Sequence, residues 1–339
     1  MKIGFLFSGQ GAQYPGMGKS LYDCSAAARR IMDEAGEQIK TWCFDGTEDE
    51  LRQTRVTQPC IYAVSLAAMV AYREAVAARG DAGRSFFEPA GIAGFSLGEY
   101  AALTAAGVIG NIKTGLDIVT KRGALMLEAG TDEAGNALGG MAAALGDRAL
   151  VLDCVEKARE DGVLEAVNFN APKQTVIAGD LAALARFKDV AAAARMKTLP
   201  LNVSTAFHSS MMARVADPLR QILSAAGLKA PHYTIYCNLT GRDLMADLTL
   251  DEKPGLDETA READTTAYIT DIMVRQAQSP VYWQETIENM AADGIEAVIE
   301  FGPGTTLRGL AKKIAPSLTV LHVEDEESLR KTVEALVCL

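Results

Sequence analysis

Histidine is scarce in this chain, three residues in 339, and basic charge falls short of acidic. Thirty-three lysines and arginines against 44 aspartates and glutamates leave a net charge of −11. That sign argues against nucleic acid as a partner, because its phosphates would meet a repelling field. The six cysteines (Cys24, Cys43, Cys60, Cys154, Cys237 and Cys338) form no CxxC pair and no zinc-type spacing. They read as reduced cytosolic thiols, mostly small core residues. No apolar run approaches the ~18 uninterrupted residues of a membrane span. The N-terminal run IGFLF stops at Ser8-Gly9, too short for a signal peptide. Internal repeats and low-complexity segments are also lacking. With 49% of its residues apolar, the chain reads as a soluble cytoplasmic protein with ample material for a core.

The length suits one large domain with an insert, or two domains. Short apolar runs alternate with long amphipathic segments, the pattern of an α/β protein with a mainly parallel sheet. KIGFLF reads as a first strand. A helix is predicted from Thr57, as cap, to Ala78, with Pro59 in its first turn. AGIAGF (90–95) reads as a strand and LGEYAALTAAGVI as the helix after it. AVIEFG, the turn Gly302-Pro303-Gly304 and TLRGLAKKI form a late strand–turn–helix. Between 138 and 204 the order is β-α-β-β-α-β, the ferredoxin-like pattern, which reads as a subdomain inserted in a catalytic domain of residues 1–137 and 205–339. The stretch 243–265, rich in Asp and Glu, reads as a solvated surface insertion.

The loop after the first strand, SGQGAQYPGMGKS, ends like a phosphate-binding loop. The Walker pattern needs glycine five residues before Gly18, where Gln13 stands. The dinucleotide pattern needs a small residue at position 14, which is Tyr14. Both nucleotide readings fail where the geometry is most demanding.

GFSLGEY (94–100) places G-x-S-x-G where a strand meets a helix, the setting of a nucleophile elbow. A bare G-x-S-x-G is commonly only a turn; this position favours Ser96 as nucleophile. Its glycines permit a tight turn that lifts the serine hydroxyl above the sheet, and the N–H of Leu97 is an oxyanion donor. A serine needs a general base. His322, after LTVL, and His232, in APHYTIY, read as structural or surface residues. His208, in STAFHSSMM, follows Ser96 in chain order as the base does in serine hydrolases of this architecture. No aspartate is evident as third member, and either a carboxylate or a backbone carbonyl could orient the histidine.

Eight short motifs follow one another along the chain: GQGAQ (9–13), TQP (57–59), GFSLGEY (94–100), Arg122 in VTKRGALM, NFNAP (168–172), AFHSSMM (206–212), VRQAQSPVYW (274–283) and EFGPGTTLRGL (300–310). In this order they resemble the malonyl-CoA:acyl carrier protein transacylases and the acyltransferase domains of polyketide synthases, over almost the whole chain. The resemblance implies an α/β-hydrolase-like core carrying a ferredoxin-like subdomain. It makes Ser96 the acylated nucleophile, His208 its base and Gln276 the residue whose backbone carbonyl orients that base. Arg122 becomes the ligand of the malonyl carboxylate, a role that a planar, permanently charged guanidinium suits. The N–H of Gln10 becomes the second oxyanion donor. Phe207 and Leu97 resemble the malonyl-selective pattern. One departure is visible: the family usually has histidine where this chain has Phe95.

The implied reaction is a ping-pong transfer of malonyl from malonyl-CoA through Ser96 to the phosphopantetheine thiol of an acyl carrier protein, in fatty acid biosynthesis. No metal or other cofactor is implied, and a monomer is expected. The carrier is typically acidic, so a basic face is expected; Lys312, Lys313 and Arg275 are candidates. Alternatives are a discrete acyltransferase of a polyketide synthase, an acyl hydrolase, and a non-catalytic carrier-binding module.

Overall fold

The computed structural model describes residues 1–80, 83, 86–203, 205–248 and 258–337. Five parallel strands form the main sheet, in the order β7 (Ile235–Tyr236), β2 (Gly91–Gly94), β1 (Ile3–Phe7), β8 (Ala297–Phe301), β9 (Thr319–Val323). Central β1, IGFLF, is buried at every residue, as expected of a parallel strand covered on both faces. Its register against β2 pairs Phe7 with Gly94. The loop after β1 and the turn after β2 therefore leave the sheet side by side, at the carboxyl ends where open α/β sheets bind ligands.

The helix predicted from Thr57 starts three residues earlier and spans Thr54–Ala77. Gln53 precedes it in extended conformation, while Thr57 bonds back to the carbonyls of Leu51 and Gln53. Pro59 thus lies inside the helix, beyond the first turn. By length and composition this helix could cross a membrane, but 72% of its most apolar window is buried in the fold. The helix read over LGEYAALTAAGVI is shorter than its apolar pattern, Gly98–Ala105. Gly107, at φ +78°, ends it. The N–H groups of Gly107 and Val108 return to the carbonyls of Thr104 and Leu103, closing the last turn.

A second sheet is antiparallel throughout, in the order β4 (Leu164–Ala171), β5 (Gln174–Asp180), β3 (Gly139–Leu145), β6 (Lys197–Pro200). With helices Arg148–Arg159 and Leu181–Ala193 it gives the ferredoxin-like order and has its own core around Val151, Leu164, Ile177 and Phe187. Edge strand β4 is tied to the main domain by Phe169 N–H to Val281 O (2.9 Å) and Val281 N–H to Val167 O (2.8 Å).

The acidic stretch read over 243–265 falls in part on residues 249–257, outside the described residues. Of its described flanks, Ala246, Asp247, Thr259, Arg261, Glu262 and Ala263 are exposed while Leu244 is buried, and the helix Glu258–Gln276 begins within it. Of the cysteines described, Cys43, Cys60, Cys154 and Cys237 are buried and Cys24 is exposed, all as free thiols.

The sheet's carboxyl end tolerates no added bulk. A Cβ at Gly98 would stand 2.1 Å from the Phe7 carbonyl oxygen, whereas one at Gly110 would meet nothing within 4 Å. Gly98→Ala is expected to lower stability by ~2 kcal/mol or more, and Gly110→Ala to change it by no more than ~0.5 kcal/mol. Urea unfolding of the two variants checks this contrast.

Candidate active site

Gly94 and Gly98 are required by the turn they flank. A Cβ on Gly94 would lie 2.0 Å from the Gly98 carbonyl oxygen. Between them Ser96 takes φ +51°, a left-handed conformation that a side-chain-bearing residue rarely adopts. Its backbone is gripped on both sides. The N–H donates to Asn238 Oδ1 (2.6 Å), and the C=O accepts from Gln276 Nε2 (2.9 Å).

Ser96 Oγ lies 2.7 Å from His208 Nε2, and His208 Nδ1 lies 2.9 Å from the Gln276 carbonyl oxygen. A carbonyl can only accept, so Nδ1 carries the proton and Nε2 presents its lone pair to the serine. The orienting partner that the sequence left open between carboxylate and carbonyl is a carbonyl here. His208 is 2% exposed. Burial and the neighbouring Arg122 charge hold its pKa down to about 4, against the pull of the Gln276 and Ser279 backbone groups. At neutral pH the imidazole is uncharged, the state a general base needs.

Arg122 enters from the helix Ile112–Ala129 and is 1% exposed. Its Nη1 donates to Gln58 Oε1 (3.0 Å), and its Nη2 approaches Ser96 Oγ (3.4 Å) and Gln276 Oε1 (3.5 Å). The guanidinium lies over the Tyr100 ring, 5.1 Å from its centroid. Burial lowers its pKa, with Tyr100 and Glu99 opposing. Its Nε has no partner, and among the described residues no carboxylate pairs with it. This is a buried cation beside a nucleophile, with a donor to spare.

Gln10 is placed on the same side as Ser96. A Cβ on Gly9 would stand 2.5 Å from the Phe95 carbonyl oxygen, so the GQGAQ loop abuts the elbow. The Gln10 side chain donates to Thr54 Oγ1 (3.3 Å). Leu97 buries its side chain at the start of the helix Gly98–Ala105. Phe207 is buried just before His208, which itself takes φ +62°. Phe95 packs edge-on against Trp283, ring centroids 5.3 Å apart. Gln10 and Phe95 line a cleft of about 580 Å³ between the sheet end and the subdomain. Asn168 and Asn170 line its far wall, and the Oδ1 atoms of both are buried without a partner.

Three residues that sequence reasoning missed complete the site: Gln58, Glu99 and Asn238. Gln58 and Glu99 stand inside motifs already singled out, TQP and GFSLGEY, and that was their signal. Asn238 follows a two-residue strand and carries no signal in the sequence.

Residues 4–328 match the family described as the acyl transferase domain. The malonyl CoA-acyl carrier protein transacylase of Bacillus subtilis (strain 168) is 34% identical over 342 residues, covering 99% of this chain and 97% of that one. Among solved structures, the acyl-carrier-protein S-malonyltransferase of Burkholderia pseudomallei 1710b has a TM-score of 0.84 at 37% identity, covering 98% of this chain and 100% of that one. A malonyl-transacylase in complex with its type II polyketide synthase acyl-carrier protein has a TM-score of 0.82 at 31% identity, covering 99% and 100%.

The depressed His208 pKa fixes a pH dependence. The base is active when unprotonated, so reactivity is present above its pKa and lost as pH falls through it. Labelling of Ser96 by a sulfonyl fluoride is expected to hold steady from about pH 7 to about pH 5 and to fall with an apparent pKa of about 4. A limb centred near the ordinary histidine value would show the imidazole to be solvated.

Proposed function

The chain belongs to the acyl transferase domain family, and from that premise we propose that it moves a malonyl group from malonyl-CoA to the phosphopantetheine thiol of an acyl carrier protein. A malonyl ester on Ser96 is the intermediate, and fatty acid biosynthesis the setting. One observation carries this reading: Ser96 Oγ stands 2.7 Å from His208 Nε2 and 3.4 Å from Arg122, which is buried with its Nε unpartnered among the described residues.

In the first half-reaction His208 Nε2 takes the Ser96 proton as Oγ attacks the thioester carbon. The oxyanion is received by the N–H groups of Leu97 and Gln10. Collapse expels CoA sulfur, which leaves with the proton from Nε2. The carrier thiol repeats the sequence in reverse, losing its proton to Nε2 and leaving as the malonyl thioester while Ser96 recovers its hydroxyl. Ser96, His208 and the two thiols account for every proton and electron pair, and no resident cofactor is proposed.

Arg122 holds the malonyl carboxylate through its free Nε and an adjacent Nη, a pairing strengthened by burial. The pantetheine arm, rich in amides, occupies the cleft, where Asn168 and Asn170 offer unpaired acceptors. Lys312 and Lys313 are exposed in the last turn of the helix Thr306–Ile314 and contribute to a basic face for the carrier; Arg275 is partly engaged by Asp271 at 3.8 Å. The protein acts as a cytoplasmic monomer in this reading. The transacylase in complex with a polyketide carrier favours a second reading with the same chemistry, in which the carrier belongs to a polyketide synthase.

Incubation with malonyl-CoA is expected to add one malonyl group to Ser96, discharged by the acyl carrier protein and absent in Ser96→Ala by intact mass. An adduct lost to water as fast as to carrier would make the protein a hydrolase. Arg122→Ala is expected to slow malonyl transfer by about 100-fold or more and acetyl transfer far less. Equal losses would refute a carboxylate-binding role.

A further inference from the structure

Glu99 is fully buried, and the catalytic steps leave it idle. Its Oε1 accepts the Asn238 N–H (3.0 Å) and its Oε2 accepts Gln276 Nε2 (3.0 Å). Those two residues are the ones that grip the Ser96 backbone. Asn238 spans the elbow: Oδ1 takes the Ser96 N–H at 2.6 Å and Nδ2 donates to the Gly94 carbonyl at 2.7 Å. Gln276 takes the other side, with Nε2 on the Ser96 carbonyl, Oε1 toward Arg122 and its backbone carbonyl on His208. The orientation of each amide is fixed by these partners, since each oxygen faces N–H groups and each NH2 faces oxygens.

We propose that Asn238 and Glu99 are positioning residues for acyl transfer, bracing the elbow so that the left-handed Ser96 keeps its Oγ aimed at His208 Nε2. Such a backbone conformation persists only where its surroundings over-determine it, and here three segments distant in sequence meet on one residue. Neither side chain touches substrate. Their effect falls on the rate of Ser96 attack, not on the grip on malonyl-CoA or the choice of acyl group. The inference rests on the acyl-transfer reading above, and acylation of the unmodified protein is its control.

The test is the single-turnover rate constant for Ser96 acylation by malonyl-CoA and by acetyl-CoA, expressed per site titrated with a sulfonyl fluoride. Asn238→Ala and Glu99→Gln are expected to lower this constant, Asn238→Ala by about 100-fold. The loss should be equal for the two acyl groups, with half-saturating CoA ester unchanged. A merely structural role would shrink the titratable fraction and leave the constant per site at the unmodified value; that result overturns the proposal, as does a loss confined to half-saturation.

Asn238→Asp keeps the shape and adds a second readout. A protonated aspartic acid copies the asparagine, donating to Gly94 O and accepting from Ser96 N–H; an ionised one turns a second acceptor against that carbonyl. Glu99 faces this position directly, with Cys237, Arg122 and His208 around it. The acylation rate of Asn238→Asp, taken relative to the unmodified protein at each pH, should therefore rise as pH falls from about 8 to about 6. A ratio that does not change with pH overturns the proposal, and this variant decides alone if Asn238→Ala fails to fold. Absence of any acyl adduct on the unmodified protein would instead sink the acyl-transfer reading itself.

Discussion

Ser96 sits where two parallel strands end in register, in a backbone conformation that costs energy, and the rest of the site follows from holding it there. The Phe7–Gly94 pairing brings the GQGAQ loop beside the elbow. The missing side chains at Gly9, Gly94 and Gly98 let backbone approach backbone at distances no Cβ would allow. The serine is thus lifted above the sheet with both of its peptide groups spent on side chains from elsewhere, leaving only the hydroxyl free for chemistry. Strain at one residue is offset by hydrogen bonds contributed by Asn238 and Gln276.

Burial around that residue sets the charges. Three ionisable groups, Glu99, Arg122 and His208, lie out of water within one network. Burial drives Glu99 up to about 8, against the two N–H donors and the arginine that favour its ionised form, and drives His208 down to about 4. The two shifts act oppositely on stability. The unfolded histidine binds a proton that the folded one refuses, so its share of stability falls as pH drops from 6.5 toward 4. The folded glutamate keeps a proton that the unfolded one releases, so its share falls as pH rises from 4.5 toward 8. The site is therefore disfavoured from both directions, and its tolerance of neutral pH depends on the surrounding core. The permanent charge is left to Arg122, which holds a free donor where a carboxylate-bearing acyl group would lie.

Much of this architecture is legible in the chain because it repeats: apolar runs with period-specific spacing reveal the parallel sheet and the inserted antiparallel one. The elbow is legible because glycine is the only residue that fits two of its positions. Boundaries are less so. Thr57 looks like a cap, yet the helix starts at Thr54, since tertiary packing of a largely buried segment outweighs the local preference of one hydroxyl. The helix over LGEYAALTAAGVI stops at Ala105 because Gly107 is free to turn left-handed, which an apolar pattern does not record. The brace is hardest to see. Asn238 acts through hydrogen bonds to residues 142 and 144 positions away, and no local pattern marks an asparagine for that task.

Phe95 shows how one substitution in a motif can leave the chemistry intact and alter its setting. The resembled family usually has histidine beside the nucleophile; here an aromatic ring rests edge-on against Trp283 and against Gly9. A histidine there would add a titratable donor on the wall of the cleft, beside the loop that carries Gln10. Phenylalanine offers neither charge nor hydrogen bond. It holds the loop by contact alone and leaves His208 as the sole imidazole among the described residues at the elbow. An arrangement in which one buried base carries the titration, and apolar packing fixes the oxyanion loop, separates two functions that a second histidine would couple. The pH response of the nucleophile is then set by the burial of His208, by the charge of Arg122 and by Glu99 behind the elbow, and not by the residue at position 95.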